Sequence, residues 1–257
     1  MRVADNTIRS AFRYHNIVYA SLRGWSVSEI VRLWRNGQHA FGPEANPAAF
    51  EQVYDALRKG WQVFRPIAYV DIPTVGQVYG VLSQLDDRFR TLSLSQLSYA
   101  DVPALWSLLS QAGAIKRDKY KRPSLMAVSK FMHFWNPRLF VIVDDEVMGR
   151  FVFKHTWLNN AIQVFGENVD SYYPEQELAG QFFASYGLRY LDFLAWSSRL
   201  LQDNPSIESL FAQYVLKHAN GEEPPEGFED FEGAAIEWLL LGLVELPPAG
   251  VELDTVQ

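Results

Sequence analysis

Lys130 and Asp144 are the two residues of this chain whose types and spacing best suit catalysis. A lysine amine shielded from water is a nucleophile toward the C1′ carbon of a sugar, and a nearby carboxylate can stabilise the positive charge that develops there. Phe131, Phe134 and Trp135 follow Lys130 and would provide the shielding. The pair therefore suggests chemistry at a glycosidic bond.

Two successive predicted helices, joined by a short turn, must position this pair. Apolar residues at helical spacing follow Pro123 and Ser124, and Pro137 ends the first helix. Asp144 has the position of an N-cap before the second apolar run. From Lys130 to residue 136 a helix advances only about 9 Å, whereas residues 137–143 extend to roughly 23 Å. The chain is therefore long enough to bring Asp144 back to Lys130.

The run SKFMHFWNPRLFVIVDDEV resembles the core of the helix-hairpin-helix (HhH-GPD) DNA glycosylase superfamily, over about residues 122–151. In that family a helix with the catalytic lysine leads into a turn and then into an aspartate motif at the next helix start. Lys130 matches the lysine and Asp144 the aspartate. The resemblance implies an all-α glycosylase-like bundle that acts on DNA, in which Lys130 attacks the sugar or orients the base. Phe134 and Trp135 would stack on an extruded base.

Two other interpretations of the pair stay open. The family hairpin binds phosphate through a Gly-rich turn, whereas residues 122–129 contain no glycine, so a shared fold without catalysis is one alternative. The other is structural, with Asp144 as a helix cap and Lys130 as a solvated side chain. His133, three residues after Lys130, is expected to be a core histidine with satisfied hydrogen bonds.

A basic segment precedes the lysine helix and suits nucleic acid. It combines phosphate-binding cations with one aromatic ring, and its alternative is a solvated loop. The predicted nucleic-acid-binding residues are Lys116, Lys119, Tyr120, Lys121, Arg122 and Trp135.

Composition excludes several other classes of site. The chain has no cysteine, which excludes disulfides and thiolate chemistry, and its histidines do not have metal-ligand spacing, so we expect no metal and no cofactor. The net charge is −7, but ten acidic residues and no basic one follow His218. A chain this asymmetric either presents a basic face while being acidic overall, or its acidic end neutralises the basic segments in the fold. The acidic end could also dock on a basic protein partner. With no signal peptide and no membrane span, the expectation is a cytoplasmic protein.

The predicted fold is all-α, with one minor β element at residues 62–70 or 139–143 unless these are extended loops. Residues 1–218 would form a helical domain of one or two lobes around a central segment, 116–155. Residues 219–257 would form an acidic connection, a last helix over 228–246 and a frayed tail, packed on the same unit. Helices are expected to start at Ser26, Asn46, Thr74, Asp101, Thr156, Pro174 and Ser206, and to end at glycines that include Gly37, Gly60 and Gly113.

Two further functional classes remain alternatives. Helical toxin–antitoxin ribonucleases carry an arginine followed after four to six residues by a histidine, a spacing found at Arg9–His15, Arg32–His39 and Arg150–His155. The chain could instead be a non-catalytic helical interaction protein of a bacterial defence or toxin–immunity system. Its working surface would then be the acidic end, with Glu229, Asp230 and Glu232.

Overall fold

A computed structural model describes residues 1–23, 26–60, 72–115, 125–143, 190–243 and 251–252. In these ranges the chain is mainly α-helical, which confirms the predicted fold class. The helices are α1 (Asp5–Arg23), α2 (Val27–Phe41), α3 (Pro47–Asp55), α4 (Val75–Leu82), α5 (Arg88–Thr91), α6 (Val102–Ala112), α7 (Leu125–Trp135), α8 (Tyr190–Asp203), α9 (Ser206–His218) and α10 (Glu232–Leu243). A π-helical turn, Ala56–Gly60, extends α3, and 3₁₀ turns occur at Leu94–Gln96, Tyr99–Asp101 and Phe228–Asp230.

The β structure in the described residues is a minimal strand pair. Strands β1 (Arg2–Val3) and β2 (Val251–Glu252) pair antiparallel, with Val3 opposite Val251. Neither predicted β segment is part of it, because residues 139–143 form no strand pairing and residues 62–70 lie outside the described residues. The pair joins the two ends of the described chain.

Side-chain caps start three of the helices where the sequence predicts them. Ser26 and Glu29 form a reciprocal capping box at α2, in which the Ser26 amide donates to Glu29 Oε2 at 2.7 Å. Asn46 caps α3 ahead of Pro47 by accepting from the Ala48 amide at 3.1 Å. Thr74 caps α4 in the same way as Ser26. These caps fix the starts of the helices that surround α7.

Gly37 does not end α2, so that prediction is wrong. The helix continues to Phe41, and Gly37 is buried in its interior. A Cβ at Gly37 would lie 2.2 Å from the Phe134 carbonyl oxygen. The glycine is therefore there because it lets α2 approach the backbone of α7 closely.

Helix α10 passes through the centre of the molecule. All twelve of its residues are buried, and a Cβ at Gly242 would lie 1.9 Å from the Ala11 carbonyl oxygen of α1. A helix that is apolar and buried all round forms core rather than surface. The predicted last helix thus exists, although it starts at Glu232 after a 3₁₀ turn, and residues 244–250 lie outside the described residues.

The acidic connection at residues 219–227 is attached to α2. Arg35 forms a 3.0 Å ion pair with Glu222, and the Gln38 amide donates to the Glu226 carbonyl at 2.8 Å. Of the other predicted helices, 156–166 lies outside the described residues, and the described part of 174–201 starts with α8 at Tyr190.

Candidate functional site

Helix α7, which carries Lys130, is buried on all sides rather than along one stripe. Every residue from 127 to 137 is buried. The helix ends at Trp135 because Pro137 cannot continue it, and the Asn136 amide closes the last turn on the Met132 carbonyl at 2.8 Å. Lys130 itself is 1% exposed. The interpretation of Lys130 as a solvated side chain is therefore wrong.

The chain after α7 turns back along the helix. Asn136 holds the turn, since its side-chain amide donates to the carbonyls of Phe89 at 2.6 Å and Leu92 at 2.9 Å, and its Oδ1 accepts from the Arg138 amide. The turn includes Leu139, and residues 140–143 then run back through the core. Leu139 and these four residues are all buried. The Val143 amide donates to Ser129 Oγ at 3.2 Å. The return path that the sequence allows is thus taken as far as Val143.

Side chains, rather than a neighbouring strand, form hydrogen bonds with the backbone of this buried segment. His133 Nδ1 donates to the Phe140 carbonyl at 2.7 Å, and the Tyr190 hydroxyl of α8 donates to the Val141 carbonyl at 2.8 Å. Burial, with a smaller contribution from Glu237, raises the pKa of Tyr190, which keeps the hydroxyl protonated as this bond requires. Residues rich in β-branched and aromatic types can therefore lie extended here without joining a sheet.

His133 is a core histidine whose hydrogen bonds are satisfied, as expected. Its Nε2 accepts from Trp34 Nε1 at 3.0 Å while Nδ1 donates to Phe140, so the imidazole is neutral. Burial lowers the pKa of His133 to about 4. It is unsuited to general acid–base catalysis near neutral pH.

The other predicted site residues divide into two groups. Trp135 is described, and it is 4% exposed at the C-terminal end of α7. Asp144 and the basic segment residues Lys116, Lys119, Tyr120, Lys121 and Arg122 lie outside the described residues. Val143, the neighbour of Asp144, is bound to Ser129, the neighbour of Lys130.

Sequence reasoning missed a pocket at the end of α7. Its volume is about 230 Å³, and it is lined by Trp34, Gly37, Gln38, Phe41, Gly42, Pro43, Arg90, Thr91, Phe134, Trp135, Asn136, Pro137, Arg138 and Phe231. Five aromatic rings form walls, and two arginines supply charge. Lys130 does not line this pocket. Of these residues, the sequence suggested only Phe134 and Trp135 as rings that stack on a base. The other three rings and Arg90 come from three other parts of the chain.

The Arg9–His15 spacing does not form a ribonuclease-type site. His15 is 1% exposed and stacks on Trp238 with ring centroids 4.3 Å apart. Burial lowers the pKa of His15 to about 3, so it cannot exchange protons with a substrate near neutral pH. Arg32 and His39 are exposed on α2, and Arg150–His155 lies outside the described residues.

Glu232 does not belong to an acidic surface. It is 4% exposed, and its carboxylate accepts from the amide and hydroxyl of Ser95 at 2.5 and 2.6 Å. Burial raises its pKa. Glu229 and Asp230 remain exposed. The predicted acidic docking surface is thus smaller than the sequence indicates.

No group of three histidine or acidic side chains is arranged as metal ligands within the part of the chain that the structure describes. Among the same residues, none of the helices has the length and hydropathy that crossing a membrane requires. Comparison of the chain with family models, curated proteins and solved structures finds no match.

Proposed function

We propose that the protein is a DNA glycosylase-like nucleic-acid-handling protein in which Lys130 is the reactive group. The observation that supports this is the hydrogen bond from the Val143 amide to Ser129 Oγ at 3.2 Å, next to the buried Lys130. Lysine is almost never fully buried unless it is paired with another group. A buried lysine beside the return path to an aspartate is what this chemistry requires.

In the proposed reaction, the Lys130 amine attacks C1′ of the nucleotide. The neutral amine forms a nitrogen–carbon bond with C1′ while the glycosidic bond breaks. The base leaves with the electron pair of that bond and takes up the proton that the lysine nitrogen releases. The carboxylate of Asp144 stabilises the positive charge on the sugar. Because Lys130 is covered, the substrate must open the segments around it. A trapping experiment tests that access directly.

Borohydride reduction should link the protein covalently to an oligonucleotide with an abasic site. Lys130→Met should abolish the adduct while keeping the volume and the apolar stem of the side chain, and cooperative urea unfolding of the variant checks that it is folded. Lys217→Met, at an exposed position of α9, is the matched control and should form the adduct as the wild type does. An adduct that persists in Lys130→Met would show that Lys130 is not the nucleophile.

Binding to duplex DNA tests the nucleic-acid part of the proposal separately. Affinity should fall steeply as salt rises, and Lys119→Ala and Lys121→Ala should each weaken binding and reduce the salt dependence. The measurement is fluorescence anisotropy of a labelled duplex over a range of salt concentrations. A protein that binds no DNA even at low salt would contradict the proposal.

One observation favours a second function, a non-catalytic interaction protein. Carboxylates accumulate near the start of α10, where burial and the charges of Glu232 and Asp230 raise the pKa of Glu208. Glu229 and Asp230 are exposed beside them and suit a basic protein partner. Capture of such a partner that Glu229→Gln with Asp230→Asn abolishes would support this function, whereas unchanged capture would exclude this surface.

A further inference from the structure

We infer that the pocket at the end of α7 binds a purine-type base, at a place separate from Lys130. Its volume of about 230 Å³ lies below the range of about 300–1,000 Å³ typical of pockets for drug-sized ligands. One flat system of one or two fused rings fits the pocket.

The walls of the pocket are rigid aromatic rings. Trp34 is held by its 3.0 Å hydrogen bond to His133 and by an edge contact with Phe231, whose centroid is 5.5 Å away. Phe41 stacks on Tyr79 with centroids 5.3 Å apart. The five rings are each no more than 4% exposed and are held by the surrounding core, so little ordering of side chains opposes binding.

Two arginines at the pocket supply hydrogen-bond donors. The side chains of Arg90 and Arg138 are 32% and 28% exposed, and they face Asp87 and Asp230 at 3.4 and 3.9 Å. Arg90 also donates to the Phe41 carbonyl, and Arg138 donates to the Gly227 carbonyl at 3.5 Å. A ligand therefore competes with these two carbonyls as well as with the surface ion pairs, which contribute little. A guanidinium has five donors in a fixed fork, which matches the O6 and N7 acceptors of a purine.

The charges around the pocket favour a neutral ring over an anion. Helices α2 and α7 both end at the pocket, so their negative dipole ends lie there. Asp87 and Asp230 add negative charge next to the two arginines. The arginines offset these charges instead of creating a positive site. The ligand is therefore recognised by its ring and its acceptor edge rather than by a phosphate.

Calorimetric titration of the full chain with inosine tests this inference, since inosine carries both acceptors. Inosine should bind, 7-deazainosine, which lacks the N7 acceptor, should bind at least tenfold more weakly, and inorganic phosphate should not compete. Arg90→Gln and Arg138→Gln should each weaken inosine binding at least tenfold. Arg88→Gln is the matched control on the same short helix and should leave the affinity unchanged, because Arg88 does not line the pocket.

Thr91→Trp is a variant whose effect on inosine binding cannot come from a change in core packing. Thr91 is exposed at the pocket, so the larger side chain fills the entrance without disturbing the packing. It should abolish inosine binding and leave the melting temperature unchanged. Absence of inosine binding by the wild type, or binding that none of these variants weakens, would overturn the inference.

The source of the base and its independence from Lys130 can be resolved in the same titration. Binding of free inosine would indicate a nucleoside ligand, whereas binding only of a single-stranded oligonucleotide that contains inosine would indicate a base within a strand. Lys130→Met should retain inosine binding, because Lys130 does not line the pocket. Loss of binding in Lys130→Met would contradict the separation of the two sites. Failure of borohydride trapping alone would leave this inference intact.

Discussion

At the scale of single residues, His133 is fixed as a neutral imidazole by two hydrogen bonds of opposite direction. Nδ1 donates to Phe140 at 2.7 Å, and Nε2 accepts from Trp34 at 3.0 Å. Protonation of Nε2 would place two donors, Nε2 and Trp34 Nε1, against each other in a buried site. Burial therefore lowers the pKa of His133 to about 4, from an ordinary value of 6.5.

This shift makes the stability of the fold depend on pH. The unfolded chain binds a proton at this histidine below about 6.5, whereas the folded chain does so only below about 4. The stabilisation is therefore complete above pH 6.5 and is lost as the pH falls toward 4. Between pH 7 and pH 5 we expect the free energy of unfolding to fall by about 2 kcal/mol from His133 alone.

His133→Gln tests this dependence, because a glutamine amide can also donate to one partner and accept from the other. Urea unfolding at pH 7 and pH 5 should show a smaller loss of stability in the variant than in the wild type, by about 2 kcal/mol. His15, Glu208 and Glu232 also titrate, but they are present in both proteins and cancel in the difference. Equal losses in the two proteins would show that His133 does not couple pH to stability.

The sequence alone predicts the environment of His133, whereas for Lys130 it leaves shielding by neighbouring rings and exposure to solvent as alternatives. A histidine among Phe131, Phe134 and Trp135 follows the rule that an aromatic helix face is core. Lys130 lies on the same helix, where a charged side chain usually reaches solvent. Its burial depends on elements from distant parts of the chain, and no local pattern contains that information.

At the scale of secondary-structure elements, the contact of α2 with α7 depends on Gly37. A Cβ there would lie 2.2 Å from the Phe134 carbonyl oxygen, which belongs to backbone and cannot move aside. Gly37→Ala should therefore destabilise the protein by about 3 kcal/mol, because the two helices must separate. Such a separation would also disturb Trp34 and Phe134, which line the pocket.

Gly80→Ala is the matched control for Gly37→Ala. Gly80 lies inside α4, where a Cβ would meet nothing within 4 Å. Alanine favours helix over glycine, so this variant should be more stable by about 0.5–1 kcal/mol. Thermal unfolding followed by circular dichroism measures both changes. The close approach would be excluded if Gly37→Ala were as stable as Gly80→Ala.

The two kinds of helix signal differ in how well sequence can predict them. The caps at Ser26, Asn46 and Thr74 are confirmed because each forms bonds with residues two or three positions away. Gly37 has the composition of a helix end, but its role is set by a helix almost a hundred residues later in the chain. Local signals are therefore predictable, whereas tertiary approaches are not.

At the scale of the whole molecule, α10 is the element around which the others pack. Its residues are all buried. Two amides in its first turn bind the turn after α7: Gly233 donates to the Arg138 carbonyl and Ala234 to the Pro137 carbonyl, both at 3.2 Å. The same Arg138 carbonyl accepts from the Leu94 amide at 3.1 Å. Three distant segments thus meet at one peptide group.

Truncation tests this role of α10. A chain that ends at Gly227 should show no cooperative thermal unfolding, because the apolar surfaces that α10 covers would be exposed to water. A chain that ends at residue 249 loses β2 but keeps every described helix, and it should unfold cooperatively with at most about 2 kcal/mol less stability. Circular dichroism in the near ultraviolet measures both. A cooperative transition in the shorter chain would show that α10 is dispensable.

The pocket also belongs to the scale of the whole molecule. Its rings and arginines come from residues 34–43, 90–91, 134–138 and 231, which only the packed fold brings together. Spacing rules detect sites that lie within one or two neighbouring elements, as in the Lys130–Asp144 hypothesis. A pocket assembled from four segments has no such signature, and this is why sequence reasoning found the lysine and missed the pocket.

The central position of α10 has a consequence for synthesis on the ribosome. Helix α10 follows all the other described helices in chain order, so α1, α8 and α9 leave the ribosome before the element that covers them exists. Their apolar faces must remain soluble, or be held by chaperones, until translation passes residue 243. The core around α10 is therefore completed only after the helices that pack on it have already met the cellular environment.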